Sequence, residues 1–278
     1  MFGCNLMRYW HSSILLLTIA TAAAYGADQK PPGDVSFNAK CDNSKQNYLV
    51  IYPPEFNNDE VHHLLILLHG HGSDRWQAVD DSVNEFRAGR DAASARSMLV
   101  VSPDYRARTS WMGPKAEADL LQIIDELKAR FHIGKIVISG ASMGGTSALA
   151  FTVLHPELVN GVVSMNGTAN LLEYDNFQGA IQKSFGGTKA EIALEYKNRS
   201  AEYWPERFTM PIGITASGKD ATVPAASVVR LANVIKKLKP DNVLLVYREE
   251  AGHNTSYEDS RAAFEFVLNK AIPGSAAR

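Results

Sequence analysis

The chain has 278 residues, of which 45% are hydrophobic and 21% are charged, an ordinary composition for a globular protein that excludes a collagen, a coiled coil and a wholly disordered chain. The 28 basic and 30 acidic residues give a formal net charge of −2. The chain therefore has no excess of basic residues that would indicate binding to nucleic acid. Two cysteines are too few for a disulfide framework or a four-cysteine zinc site.

The first segment of the chain has the layout of a secretory signal peptide. Arg8 is its only charged residue, an apolar run covers residues 14–24, and small residues offer cleavage after Ala24 or after Gly26. We therefore assign residues 1–26 to a signal peptide and predict a secreted or periplasmic protein. The alternative is a membrane anchor, but a membrane-spanning helix needs about 20 apolar residues, and this run is shorter.

Beyond residue 26 the hydrophobic pattern alternates between strand-like and helix-like segments. In chain order it predicts strands at 35–39, 48–52 and 64–68, a helix at 80–95, a strand at 98–102, a helix at 114–131, a strand at 135–139, a helix at 142–154, strands at 158–165 and 211–215, a helix at 228–238, a strand at 243–247 and a helix at 257–270. This alternation predicts an α/β fold, in which a mostly parallel sheet is covered by helices on both faces. We assign residues 27–278 to one domain, in which residues 167–209 form a helical, cap-like insert.

The sharpest motif is Gly140-Ala141-Ser142-Met143-Gly144, a G-x-S-x-G pattern between a predicted strand and a predicted helix. In this setting the serine occupies a tight turn that exposes its hydroxyl, and the glycines permit close approach of neighbouring backbone. The helix that begins here directs backbone N–H groups at developing negative charge. The motif predicts Ser142 as a nucleophile, and the alternative is an ordinary glycine-rich turn.

A serine hydroxyl needs a histidine to take its proton and a carboxylate to orient that histidine. In the strand–turn–helix setting these partners follow in the order acid, then histidine. His253 is the only histidine after His155 and lies just past the last predicted strand, so we predict it as the general base. Asp220 follows the preceding strand and is the predicted acid. Asp241, at the start of a strand, and Asp259, inside the last helix, are poorer candidates.

Two backbone N–H groups should bind the oxyanion of an acyl-transfer intermediate, one from Met143 and one from the loop after the strand at 64–68. That loop includes Gly70, His71 and Gly72. We predict His71 as the second donor, although the sequence does not separate it from the two glycines. Gly70 is also expected to border the substrate.

Two aromatic residues, Tyr105 and Trp111, follow the strand predicted at 98–102, on the edge where open α/β sheets bind ligands. We predict that they line an aryl or sugar pocket, the alternative being that they pack within their own loop. The triplets that begin at Asn166, Asn198 and Asn254 match glycan acceptor patterns, and we treat all of these as chance matches.

Four histidines flank the strand at 64–68, and an alternative interpretation of them is a metal site. They stand in two pairs: His62 with His63, and His69 with His71. A strand of about six residues separates the pairs by roughly 20 Å, so they cannot share an ion, and two histidines alone are too few ligands. We expect no metal and no cofactor. Cys41, the only cysteine left after signal cleavage, is expected to be a buried, unreactive thiol.

Four features in sequence order resemble the α/β-hydrolase superfamily: Leu68-His69-Gly70, the motif around Ser142, Asp220 and His253. The resemblance runs from about residue 64 to residue 270. Within the superfamily the chain is similar to secreted esterases of the polyhydroxybutyrate-depolymerase and feruloyl or acetylxylan esterase type, and to prolyl-oligopeptidase-related hydrolases. The phrases Ser217-Gly218-Lys219-Asp220 and Gly252-His253 are typical of that group.

The resemblance implies a serine carboxylic-ester hydrolase that acts through an acyl-enzyme on a small-molecule or polymer-borne ester. We expect neither binding to nucleic acid nor stable insertion into a membrane. The alternatives are a serine peptidase of the prolyl-oligopeptidase-like type and a non-catalytic binding protein on a hydrolase scaffold.

Overall fold

The computed structural model describes residues 30–274, and the predicted signal peptide and its cleavage sites lie outside them. The strands are β1 (Gly33–Asn38), β2 (Lys45–Ile51), β3 (Val61–Leu68), β4 (Leu99–Pro103), β5 (His132–Ala141), β6 (Gly161–Met165), β7 (Ile212–Ser217) and β8 (Val243–Arg248). The helices are α1 (Asn84–Ser94), α2 (Pro114–Arg130), α3 (Met143–Leu154), α4 (Gln178–Phe185), α5 (Ala193–Asn198), α6 (Ala226–Leu238) and α7 (Tyr257–Ala271).

The strands of this part of the chain form a single sheet in the order β1-β2-β4-β3-β5-β6-β7-β8. β2 pairs antiparallel with both β1 and β4, whereas all the other neighbours are parallel. The mostly parallel sheet confirms the predicted α/β fold. Because parallel strands end at the same edge, the loops after β3 to β8 gather there, and ligands bind at this edge in such sheets.

The hydrophobic core lies on both faces of the sheet, as the continuous apolar sequence of β3 predicts. Leu64, Ile66 and Leu68 pack in a cluster with the apolar faces of α2, α3 and α6. The alternate residues Leu65 and Leu67 pack in a second cluster with α1 and α7. All five side chains are fully buried, and each such burial stabilises the fold by about 1.5–3 kcal/mol.

Several predicted boundaries differ from the structure, and two of them differ because polar groups form local turns. α1 begins at Asn84 rather than at residue 80, since the carboxylate of Asp80 accepts the N–H of Ser82 (2.9 Å) and holds a turn there. β6 begins at Gly161 rather than at residue 158. The preceding residues form a turn in which Asn160 Oδ1 accepts the N–H of Ile136 (2.9 Å) on the neighbouring strand.

The segment between β6 and β7 contains α4, α5 and two short 3-10 turns. Arg199, which follows α5, donates to the backbone oxygen of Met112 (2.8 Å) and to Glu117 Oε2 (2.6 Å) in α2. These bonds attach the insert to the loop and helix that follow β4. Within residues 30–274, no helix is long and apolar enough to cross a membrane.

Candidate active site

Ser142 lies between β5 and α3 in a backbone conformation that a serine rarely adopts. Its φ and ψ angles are 57° and −121°, and a residue other than glycine at positive φ persists only where its surroundings hold it. Here its N–H donates to the oxygen of Met165 at the end of β6 (2.8 Å), and its own carbonyl accepts the N–H of Thr146 (3.0 Å). The sheet and the helix therefore hold the turn that the motif predicted.

The glycines of this turn are explained by close backbone contacts. A Cβ atom on Gly144 would lie 1.9 Å from the carbonyl oxygen of Leu68, and one on Gly140 would lie 2.4 Å from the carbonyl carbon of Gly144. Side chains at these positions would push α3 away from β3. The N-terminus of the helix can therefore approach the loop after β3 only because both residues are glycine.

A chain of two hydrogen bonds joins the three residues predicted to work together. Ser142 Oγ lies 2.8 Å from His253 Nε2, and His253 Nδ1 lies 2.7 Å from Asp220 Oδ2. Asp220 and His253 come from the loops after β7 and β8, so the carboxyl edge of the sheet brings them to the serine. The side chain of Asp220 is only 1% exposed, whereas that of His253 is 28% exposed.

The carboxylate of Asp220 is held from its other side by backbone. Its Oδ1 accepts the N–H groups of Thr222 (2.9 Å) and Val223 (2.8 Å), which leaves Oδ2 facing the histidine. Neither alternative acid hydrogen-bonds to the histidine: Asp241 lies exposed in a turn before β8, and Asp259 in α7 pairs with Arg248 (2.6 Å).

The loop after β3 offers one of its three candidate amides to a ligand. The N–H of Gly70 donates to Gln77 Oε1 (2.8 Å), and the N–H of Gly72 donates to the oxygen of Arg108 (2.8 Å). The N–H of His71 has no acceptor among the described residues, and the same holds for the N–H of Met143 at the start of α3. This geometry favours His71 over the two glycines as the second donor, and the expectation that Gly70 borders the substrate stays a prediction.

Tyr105 and Trp111 do not line a pocket, contrary to the prediction. Tyr105 is 1% exposed and Trp111 is 0% exposed, so neither side chain contacts a ligand in this conformation. They instead support the loop after β3. The hydroxyl of Tyr105 donates to the oxygen of His69 (2.6 Å), and the indole N–H of Trp111 donates to His71 Nδ1 (3.1 Å). Burial raises the pKa of the Tyr105 hydroxyl, so it remains a donor.

The exposed aromatic surface beside the candidate oxyanion site comes from the insert. Phe177, which is 37% exposed, has its ring centroid 4.4 Å from that of His71. Burial lowers the pKa of His71, and its Nδ1 accepts from Trp111, so the imidazole is neutral with its proton on Nε2. The insert contains seven aromatic residues between positions 174 and 208, and no sequence pattern indicates which of them reaches this site.

Two polar residues near the site, Gln77 and Asn166, were not identified from the sequence. Gln77 holds the amide of Gly70, and Asn166 follows β6 at the carboxyl edge, a position that could have drawn attention to it. Asn166 is 5% exposed, which makes a glycan on it incompatible with this fold.

Cys41 is exposed, contrary to the prediction that its thiol is buried. It lies in the β1–β2 turn, where its Sγ is 3.0 Å from Arg106 Nη2.

Solved structures from several organisms share this fold. An acylaminoacyl peptidase from Pyrococcus horikoshii is 16% identical, with 88% of this chain and 42% of that chain covered and a TM-score of 0.67. An S-formylglutathione hydrolase from Agrobacterium tumefaciens is 17% identical, with 89% and 96% covered and a TM-score of 0.68. Est1E from Butyrivibrio proteoclasticus is 19% identical, with 86% and 98% covered and a TM-score of 0.62. The chain thus spans less than half the length of the peptidase.

The sequence itself identifies the family. No curated protein sequence matches the chain significantly. Residues 105–271, more than half of the chain, match the Prolyl oligopeptidase family. That range runs from the loop after β4 to the end of α7 and includes Ser142, Asp220 and His253. Together with the α/β-hydrolase sheet, this match confirms the resemblance seen in the motifs. The chain belongs to the Prolyl oligopeptidase family.

Proposed function

We propose that the protein is a secreted serine hydrolase that cleaves carboxylic esters through an acyl-enzyme. The observation that carries the proposal is the hydrogen-bonded series Ser142–His253–Asp220, with distances of 2.8 Å and 2.7 Å, beside two backbone N–H groups that have no acceptor within residues 30–274. A nucleophile, a base, an orienting acid and donors for an oxyanion are the parts that acyl transfer requires.

In the proposed reaction, Ser142 Oγ attacks the carbonyl carbon of the ester while its proton passes to His253 Nε2. The negative charge that develops on the carbonyl oxygen is stabilised by the N–H groups of Met143 and His71. His253 then gives the proton to the departing alkoxide, which leaves as the alcohol. Water attacks the acyl-enzyme with His253 again as the base, and the acid and free serine are released. Throughout, Asp220 holds the Nδ1–H tautomer and stabilises the protonated imidazole.

Esters are proposed rather than peptides on chemical grounds. An alkoxide leaves more readily than an amine anion, so cleavage of an ester places less demand on proton delivery by His253 than cleavage of an amide. The exposed ring of Phe177, which lies against His71, supports aryl esters as the first substrates to test. The family match favours peptidase activity as the second candidate, which the same assay addresses.

Hydrolysis of a short-chain aryl ester and of an aminoacyl anilide should be measured for the wild type and for Ser142→Ala. We expect the wild type to cleave the ester faster, and the variant to lose both ester hydrolysis and labelling by a fluorophosphonate probe. The control is Ser36→Ala, which removes an exposed hydroxyl on β1. Faster anilide cleavage would identify a peptidase, and full activity in Ser142→Ala would rule out this serine as the nucleophile.

Export is part of the same proposal and rests on residues 1–26. Mass spectrometry of the protein recovered from the culture medium or the periplasm should give a mature N-terminus at Tyr25 or Ala27. Recovery of the full-length chain from the cytoplasm alone would contradict export and would leave the hydrolase assignment untouched.

A further inference from the structure

A buried asparagine connects the loops that carry the proposed acid and base. Asn166 follows β6 directly, at the edge of the sheet where the site lies, and has a φ of 46°. Asparagine tolerates this left-handed conformation better than most residues. Its backbone N–H donates to the oxygen of Thr215 in β7 (3.0 Å), so the main chain is fixed and its side chain extends beneath the two loops.

The amide nitrogen of Asn166 lies within reach of acceptors from both loops. The distances from Nδ2 are 3.2 Å to Ser217 Oγ, 3.5 Å to Asp220 Oδ2, 3.4 Å to the oxygen of Gly252 and 3.3 Å to the oxygen of Asn254. Gly252 and Asn254 are the residues on either side of His253. One NH2 group therefore lies close to the acid and to the main chain on both sides of the base.

The amide oxygen of Asn166 faces two hydroxyls. Oδ1 accepts from Thr255 Oγ1 (3.0 Å) and from Thr215 Oγ1 (3.3 Å), and the two hydroxyls are 2.8 Å apart. Rotation of the amide by half a turn would place Oδ1 against a carboxylate and two carbonyl oxygens, so the surroundings specify its orientation. Every polar atom of this buried side chain has a partner, as buried polar groups require.

We propose that Asn166 is a positioning residue that fixes the loop of His253 relative to Asp220; the proposal rests on the proposed function. The two loops come from different strands, and β8 is an edge strand whose residues are partly exposed. Hydrogen bonds from one side chain to both loops hold the His253–Asp220 distance constant. The carboxamide suits this task because it donates to Asp220 without a charge that would compete with His253 for the carboxylate.

Two substitutions at this position separate hydrogen bonding from shape. Asn166→Gly accepts the positive φ and removes the carboxamide, whereas Asn166→Asp keeps the shape but replaces the donor with an acceptor 3.5 Å from Asp220. We expect both to lower kcat roughly 10- to 100-fold with KM little changed, since small displacements of reacting groups have effects of this size. We also expect both to weaken the far-downfield proton NMR signal of His253 Nδ1–H.

The matched control is Asn160→Ala. Asn160 lies at the opposite end of β6, where its Oδ1 accepts the N–H of Ile136 (2.9 Å). Loss of this bond should lower the urea midpoint of unfolding and leave kcat and the NMR signal unchanged. Thr255→Val gives a second test, because it removes a hydroxyl that orients Asn166 while conserving volume. It should reduce kcat in the wild type and have no further effect in Asn166→Gly.

The NMR signal reports the His253–Asp220 hydrogen bond without any substrate, so it tests Asn166 independently of hydrolysis. Wild-type kcat in Asn166→Asp, or an intact signal in a folded Asn166→Gly protein, would overturn the proposal. So would full additivity of Thr255→Val with Asn166→Gly. Ester hydrolysis that survives in Ser142→Ala would instead refute the proposed function, which distinguishes the two failures.

Discussion

Gly144 lies in the first turn of α3, where an added methyl group would collide with the backbone of β3. In Gly144→Ala the new Cβ would be 1.9 Å from the oxygen of Leu68, 2.8 Å from its carbonyl carbon and 2.9 Å from the oxygen of His69. These are main-chain atoms of a strand and its adjoining loop, so no flexible side chain can move aside. The helix itself must withdraw from the sheet.

The size of the effect follows from that distance. Ordinary contact begins near 3.4 Å, so the first turn of α3 must move by roughly 1.5 Å, and Ser142 and the N–H of Met143 move with it. A displacement of about 1 Å can reduce a rate 10²-fold, so kcat/KM should fall by roughly that factor or more. Overpacking should also lower the free energy of unfolding by about 1–3 kcal/mol.

The matched control is another Gly→Ala substitution in a helix. A Cβ on Gly179 in α4 would meet nothing within 4 Å, so Gly179→Ala should be neutral or stabilise the protein by up to about 1 kcal/mol. Ester hydrolysis and urea unfolding of both variants provide the comparison. Wild-type kcat/KM in Gly144→Ala would refute the argument that close packing of α3 on β3 places the proposed nucleophile, Ser142, and the proposed oxyanion donor, the N–H of Met143.

Three further substitutions test other parts of the structure. Asp220→Asn should lower kcat by roughly 10⁴-fold with the fold intact, because an amide does not hold the required tautomer; single-turnover hydrolysis within tenfold of wild type would contradict its role. Gly252→Ala should keep wild-type kcat/KM, since its Cβ would meet nothing within 4 Å and its φ is not positive, and a large loss of activity would refute this. Burial raises the pKa of Asp119 from 3.8 to about 6, with Arg106 opposing the shift only in part. The contribution of Asp119 to the free energy of unfolding should therefore fall as pH rises between these two values. In urea titrations, the free energy of unfolding of Asp119→Asn relative to the wild type should accordingly rise over this range, and a difference that does not change with pH would contradict the pKa shift.

Much of the fold follows from local sequence patterns. The continuous apolar run of β3 predicts a strand buried on both faces, and its five leucine and isoleucine residues do alternate between two cores. Pro114 at the start of α2 and the apolar stripe behind it predict that helix nearly to its last residue. Boundaries were less predictable where a side chain such as that of Asp80 formed a turn of its own.

The site was predictable where few residues could meet a chemical requirement. The G-x-S-x-G motif singled out Ser142, and His253 was the only histidine far enough along the chain. The choice of amide in the loop after β3 was not predictable in this way. It depends on Gln77, whose side chain returns to engage Gly70, and no local pattern encodes that contact.

Local sequence patterns were sufficient to predict the fold class, the strands that the candidate residues follow, and the choice of Ser142 and His253 as candidates. Three features became visible only in the folded chain: Tyr105 and Trp111 are buried supports, Phe177 from the insert faces the site, and Asn166 connects the two loops. The physical reason is that periodicity and motifs report the local conformation of the backbone. Burial and side-chain hydrogen bonds depend instead on groups that folding brings together from distant parts of the chain.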